Sequence, residues 1–203
     1  MIVRFRTFDR SLLKPVLAPV LALVLCLTAT LAAADSFDIG FNDDSFHLGY
    51  ERGMAQDEFG TVVGNLGFLH NDDKKTTFGR AGIDFIGSPG NYPGLNLGIG
   101  SRLYVGSTAD STDFINLAMG LRGFYAPPQL SGFGVGAAVY HSPKVFSFRD
   151  SERLTQSEVV LSYALVPKVR LTLGYYNTRL KEDRNNRDRR IDDSIRIGFT
   201  GYF

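Results

Sequence analysis

An all-β fold, an antiparallel up-and-down transmembrane β-barrel of ten strands, is what this sequence predicts, with eight strands as the fallback if the first hairpin does not span. Three observations predict it. After residue 35 the chain consists of short segments of period-two alternation, with no helical period longer than one turn. Glycine and aromatics are plentiful (22 Gly, 16 Phe, 9 Tyr) while mean hydropathy stays at −0.04, as in a wall where only alternate residues meet lipid. The chain also opens on an export leader.

That leader has three parts. Arg4, Arg6, Arg10 and Lys14 precede an apolar run over 15–31, and Ala32-Ala33-Ala34 then stands before Asp35. Ala32 and Ala34 are the small residues of a cleavage site, so the expected division is a signal peptide over 1–34 and one barrel domain over 35–203. The apolar run is shorter than the ~20 residues of a spanning helix, and Pro15 and Pro19 interrupt its start, which argues against an uncleaved anchor. Cys26 follows Leu25 where lipid attachment needs a small residue, so lipidation is not expected. With Cys26 gone, about 169 residues must hold together without a disulfide. Formal charge falls from +1 to about −2, which offers no support for a nucleic-acid partner.

The strands can be placed in order. The first hairpin covers 36–41 and 45–52 around Asn42-Asp43-Asp44, with Phe37, Ile39 and Phe41 and then Phe46, Leu48 and Tyr50 in alternation. The next pair, 61–70 and 76–86, is joined by Asn71-Asp72-Asp73-Lys74-Lys75, a polar turn. Within it Ala81, Ile83 and Phe85 face one way, and Arg80, Gly82 and Asp84 the other. Strand 94–105 sets Leu95, Leu97, Ile99, Leu103 and Val105 against Asn96, Gly98, Gly100, Arg102 and Tyr104: apolar out, polar and small in. Strand 113–125 does the same with Ile115, Leu117, Met119 and Leu121 and ends at Pro127-Pro128, which cannot extend a ladder. Strands follow at 132–141, 154–165, 168–180 and 193–203.

Connections alternate in length. The loops at 71–75, 106–112, 142–153 and 181–192 are expected outside, and the turns at 87–93, 126–131 and 166–167 on the periplasmic side. The last strand alternates Ile195, Ile197, Phe199, Gly201 and Phe203 with Ser194, Arg196, Gly198, Thr200 and Tyr202. Arg196, Gly198, Phe199 and the terminal Phe203 are similar to the C-terminal assembly signal of Gram-negative outer-membrane barrels, although Gly201 stands where an aromatic is usual. That similarity implies the barrel-assembly machinery and periplasmic chaperones as partners, and the outer membrane of a Gram-negative bacterium as destination. The other reading is an edge strand of a soluble sandwich.

Gly64-Asn65 leading to His70-Asn71-Asp72-Asp73, the glycine-alternating strands at 94–105 and 113–125, Tyr140 before Ser142-Pro143 and the aromatic end resemble the YfaZ family of outer-membrane proteins. The resemblance covers most of the chain after the leader. It implies an outer-membrane barrel of undefined biochemical role and supplies no functional residue.

The inward face collects charge: Asp38, Glu51, Asp84 and Glu158 against Arg80, Arg102, Arg122, Arg170 and Arg196. In so narrow a barrel these must pair or be hydrated, which predicts a salt-bridged lumen; the alternative is a narrow pore whose arginine excess favours small anions. His141-Ser142 raises a lipid A-modifying enzyme, but adjacent strand residues face opposite sides, so this histidine is badly placed to activate this serine. His47 and His70 lack ligand spacing for a metal, and Gly132, Gly134 and Gly136 are followed by no helix that would make a phosphate loop. No cofactor, metal or catalysis is expected. Lys181, Arg184, Arg187, Arg189 and Arg190 crowd one outer loop, where they could grip lipopolysaccharide phosphates or stand as an ordinary solvated loop. The function expected is an integral outer-membrane barrel in lipid, with a structural or limited passive-permeation role; the rivals are a small-solute pore, a surface-interaction protein and a lipid-modifying enzyme.

Overall fold

The structure, a computed structural model, describes residues 35–108, 113–182 and 188–203. The predicted cleavage residues Ala32 and Ala34, and Arg184 and Arg187 of the predicted basic loop, lie outside the described residues.

Among the described residues eleven strands form one antiparallel sheet: β1 Ser36–Phe41, β2 Ser45–Gln56, β3 Thr61–Asn71, β4 Thr76–Gly87, β5 Leu95–Ser107, β6 Asp113–Tyr125, β7 Phe133–Ser142, β8 Ser147–Arg149, β9 Ser151–Val166, β10 Val169–Glu182 and β11 Asp188–Tyr202. β1 pairs with both β2 and β11, while β5 pairs with both β4 and β6, so the described strands other than β8 close into a ring of ten. Closure leaves no unpaired edge, which a wall facing lipid requires. At the β1–β11 seam Gly40 faces Gly198, and a Cβ on Gly198 would strike the carbonyl oxygen of Ile39. Gly198 is therefore fixed by backbone approach.

Alternation sorts the two faces as expected. Leu97 is 50% exposed and Leu121 63%, whereas Arg102 is 2% and Asn116 0%. Most of the exposed apolar side chains are on the outside, and most of the buried positions, polar and apolar alike, point into the lumen, while Asn177 is buried on the outer wall and Tyr202 is exposed at an open cavity. A barrel with its large hydrophobics outside is stable only where hydrocarbon covers them. The fold is a transmembrane β-barrel.

Two connections differ from expectation. The stretch 181–192 is largely strand: β10 runs on to Glu182 and β11 begins at Asp188, with Leu180 paired to Arg189 and Lys181 to Asp188. Charged residues extend a ladder readily where both faces are hydrated, so polarity alone does not mark a loop. The register shifts between Thr178 and Arg179, leaving Ile191 as an extra residue and turning it inward, fully buried beside Asp192. The other case is 142–153. After Met119 pairs with His141, β6 advances three residues to Asn116 while the partner chain spends six, through a 3₁₀ turn at Lys144–Phe146, before β8 resumes the ladder at Ser147. Pro143, with no N–H to donate, sits at that interruption.

Loop length consequently separates the barrel ends less well than the sequence suggests, since 88–94 and 126–132 at one end exceed 42–44 and 72–75 at the other. The outer wall separates them by its polar strand extensions. Around the end that carries 57–60, 88–94, 126–132 and 167–168, exposed Phe59, Tyr92, Tyr125, Phe133, Tyr163 and Phe203 make an aromatic girdle. At the opposite end Phe41, Phe46, Phe68 and Phe148 are exposed as well, but there β9, β10 and β11 rise past their apolar positions into polar ones.

Candidate functional site in the barrel lumen

Three layers fill the interior. Across the middle, Asp84 of β4 is fully buried and gathers partners from four strands. Tyr140 on β7 donates to Oδ1 at 2.6 Å, Asn65 on β3 to Oδ2 at 3.1 Å, Arg122 on β6 to Oδ2 at 3.1 Å and Arg102 on β5 to Oδ2 at 3.4 Å. Arg122 also reaches Glu51 on β2, with contacts of 2.6 and 3.3 Å in a two-pronged pair. Arg102 lies 3.7 Å over the ring of Tyr140, and its Nε and Nη1 have no hydrogen-bond partner among the described residues. Gly100 makes room for this hub, because a Cβ there would overlap the Asp84 carboxylate.

Two further clusters flank it. Asp38 meets Nδ1 of His47 at 3.1 Å, Nε2 of His47 accepts from Arg80 at 3.3 Å, and Arg80 stands 3.8 Å from Glu158. Arg196 donates to Asp192 at 2.5 Å and to Ser45 at 2.8 Å, and its guanidinium lies 4.8 Å over Tyr176. Of the nine predicted lumen charges, seven thus join ion pairs, and Asp38 takes a hydrogen bond from the His47 ring. Arg170 does neither: it donates to Ser162 and to the carbonyl of Gly132 and lies over Phe124, with no carboxylate in ion-pair range among the described residues.

The half of the lumen away from the girdled end holds an apolar cluster among buried polar groups such as Asn71, Asn116, Gln156 and Asp192. Leu69, Phe78, Tyr104, Phe114, Leu154, Leu180 and Ile191 are at most 4% exposed and pack as one cluster, with Phe78 edge-on to Phe114 at 6.2 Å. Tyr104 satisfies its hydroxyl on Gln156. Beside the cluster Asn116 donates to Ser147 at 2.7 Å and to Ser151 at 2.8 Å, tying the mouth under β8. Sequence reasoning missed this layer and Asp192. The signal existed, since Phe78 shares parity with Arg80, Phe114 with Asn116, and Leu154 with Glu158, but an inward apolar residue looks like noise when the inside is assumed polar. At the rim beyond the spanning strands, a hydrogen bond to Asp73 at 2.6 Å holds the Lys74 ammonium above its ordinary pKa.

Below the charge network lies a cavity of about 320 Å³ at the girdled end, bounded by Arg122, Phe124, Ser162, Arg170, Thr200 and Tyr202 among others. Charge lines its upper wall. The described residues include no group of three or more His, Asp or Glu able to hold a metal. His141 points outward, with Nδ1 2.8 Å from the Thr155 hydroxyl, while Ser142 is buried inside and contacts Ser147 at 3.2 Å, so the two are not arranged as base and nucleophile. His70 also faces outward, toward Thr77 at 2.8 Å, and His47 is a lumen residue.

The predicted assembly residues separate. Arg196 and Gly198 are buried inside, Phe199 and Phe203 exposed outside. Phe203 exchanges backbone hydrogen bonds with Asp35, at 3.0 and 3.3 Å. In the predicted basic loop Lys181 pairs with Glu152 at 2.9 Å, Arg189 with Glu182 at 3.9 Å and Arg190 with Asp193 at 2.7 Å, all from strands rather than a loop.

The profile of the YfaZ precursor family matches residues 13–203, nearly the whole chain. The chain belongs to the YfaZ precursor family. Membership agrees with the resemblance carried by the glycine-alternating strands, and it brings no activity with it. Among solved structures, the family member is similar to a KdgM porin (10% identity, 84% of this chain and 99% of that one, TM-score 0.40) and to the outer membrane protease OmpT from Escherichia coli (10% identity, 84% and 93%, TM-score 0.39). At that distance neither porin nor protease activity passes to the YfaZ chain. No curated protein matches its sequence.

Proposed function

We propose that this YfaZ-family chain is an integral outer-membrane barrel whose lumen is closed to steady flow, with a structural or strictly limited permeation role and no catalysis. The observation that carries this reading is the apolar cluster of Leu69, Phe78, Tyr104, Phe114, Leu154, Leu180 and Ile191 stacked above a paired charge network. An ion crossing such a barrel would shed its hydration against hydrocarbon after displacing buried salt bridges. The outer membrane is the destination that fits a closed barrel of this size with an aromatic girdle and an export leader. The girdled end faces the periplasm in this reading and the polar extensions of β9–β11 face outward. Delivery by periplasmic chaperones and insertion by the barrel-assembly machinery follow from it.

Planar-bilayer recording of purified, refolded protein tests the closed lumen. Little or no steady conductance is the expected result. A stable, anion-selective current from the unmutated protein would replace this reading with the pore.

A further inference from the structure

The outer wall of β9–β11 changes chemistry along its length. On β9 the outward positions run Leu161, Val159, then Ser157, Thr155, Arg153; on β10 they run Leu173, Tyr175, then Asn177, Arg179; on β11, Ile197, Ile195, then Asp193. Ser157 pairs with Asn177 and Thr155 with Arg179, so hydroxyls, an amide and guanidiniums form one patch directly above the apolar belt. That is the height of lipid headgroups.

The patch is shaped. A hollow of about 290 Å³ is lined by Arg153, Thr155, Ser157, Asn177, Arg179 and Asp188. Asn177, itself only 6% exposed, is fixed at the base: its amide donates toward Tyr175 and Asp193 at 3.3 and 3.4 Å, and its Oδ1 accepts from Nε of Arg179 at 3.1 Å. One edge of the Arg179 guanidinium is thereby aimed and the other left toward the hollow, with no carboxylate partner among the described residues. Arg153 approaches Asp188 only loosely, at 3.8 Å, and its side chain is half exposed. Some rim cations are tightly matched, Arg190 with Asp193 at 2.7 Å and Lys74 with Asp73 at 2.6 Å, whereas Arg153 shares its loose spacing with Arg189 and Glu182 at 3.9 Å, and what sets Arg179 apart is that no described carboxylate lies in range of it. An under-neutralised pair of guanidiniums beside hydroxyl and amide groups, at the edge of a lipid-facing wall, complements a phosphate carried on a sugar that is anchored in the bilayer.

We propose that this hollow on β9 and β10 binds the phosphorylated sugar headgroup of an outer-leaflet glycolipid, with Arg153 and Arg179 on the phosphate and Thr155, Ser157 and Asn177 toward the sugar. The guanidinium fork suits phosphate bidentately, which an ammonium does not reproduce. The proposal rests on the orientation given above, because only with the girdled end in the periplasm does the hollow meet the outer leaflet.

Native mass spectrometry of the detergent-purified full chain tests it, with bisphosphorylated lipid A, dephosphorylated lipid A, phosphatidylglycerol and inorganic phosphate as probes. Heat-modifiable migration of each sample first establishes a folded barrel, so failure of the barrel reading is seen separately from failure of the site. Retention of bisphosphorylated lipid A above the other three probes is expected. R153A with R179A should weaken it at least about tenfold, the loss of charge-assisted hydrogen bonds. R149A, which removes a rim cation paired with Asp113 on β6, should leave it unchanged. If the alanine pair does not fold, R153K with R179K keeps the charge, loses the fork and should still weaken binding. Equal retention after either double substitution, or equal retention of dephosphorylated lipid A, overturns the site. Preference for phosphatidylglycerol overturns the sugar-phosphate assignment, and saturation by inorganic phosphate alone reduces the hollow to an anion site without lipid selectivity and overturns it as well.

Discussion

Tyr140 and Asp84, 56 residues apart and three strands apart around the ring, are joined by a hydrogen bond of 2.6 Å inside the lumen. The phenol donates, the carboxylate accepts, and the same carboxylate holds Asn65, Arg102 and Arg122. Asp84 is therefore the point at which β3, β4, β5, β6 and β7 are tied to one another across the interior.

Removing that charge should cost more than removing any one donor. Asp84→Ala leaves Arg102 and Arg122 buried and under-compensated, with an expected loss of about 3 to 5 kcal/mol. Tyr140→Phe deletes one hydrogen bond and should cost about 1 to 2 kcal/mol. Urea unfolding of the refolded barrel in lipid vesicles measures both. Equal, small losses would mean that water enters the lumen freely and solvates these groups.

Lipid-facing positions should reject charge. Leu97→Arg or Leu121→Arg is expected to destabilise the barrel by roughly 2 to 4 kcal/mol if the residue lies near the midplane. The inward Asn96, at the rim of the open cavity, should tolerate Asn96→Ala with little loss. The same unfolding assay decides it, and tolerance of arginine at Leu97 would speak against hydrocarbon around the barrel.

Opening the lumen should require its apolar layer. Arg102→Ala with Arg122→Ala would open a path if salt bridges alone blocked the pore, yet Phe78, Tyr104 and Phe114 seal the outward half independently. The expected order of single-channel conductance is therefore wild type and the arginine pair near zero, and Tyr104→Ala with Phe114→Ala clearly above both. Current from the arginine pair alone would show that the aromatic layer does not hold.

The β1–β11 seam should govern assembly. Deletion of Phe203 removes its backbone exchange with Asp35 and should reduce membrane insertion, leaving secreted chain to be degraded. Gly198→Ala should also slow closure, because its methyl group meets the Ile39 carbonyl, which has little room to move. Heat-modifiable migration and membrane yield report on both variants, and wild-type yield in the Phe203 deletion would remove the assembly role of that residue.

Strand number, strand order and the two faces were legible in the sequence because each follows from local rules. Successive side chains on a strand point to opposite sides whatever the chain does elsewhere, so Leu97 and Leu121 fell outside, and Arg102 and Asn116 inside, from parity alone. Antiparallel neighbours joined by short turns then fixed the order of the ring. What parity cannot supply is height and partner. Whether Arg122 meets Glu51, Asp84 or Glu158 depends on tilt and stagger summed around the closed wall, and that closure paired Arg122 with Glu51 from 71 residues away while leaving Arg170 to a hydroxyl and a carbonyl. The shift at Thr178 and Arg179 likewise turned Ile191 inward against its parity, as part of the apolar layer that closes the lumen. Faces are a property of each strand by itself; contacts across the lumen exist only after the last strand has met the first.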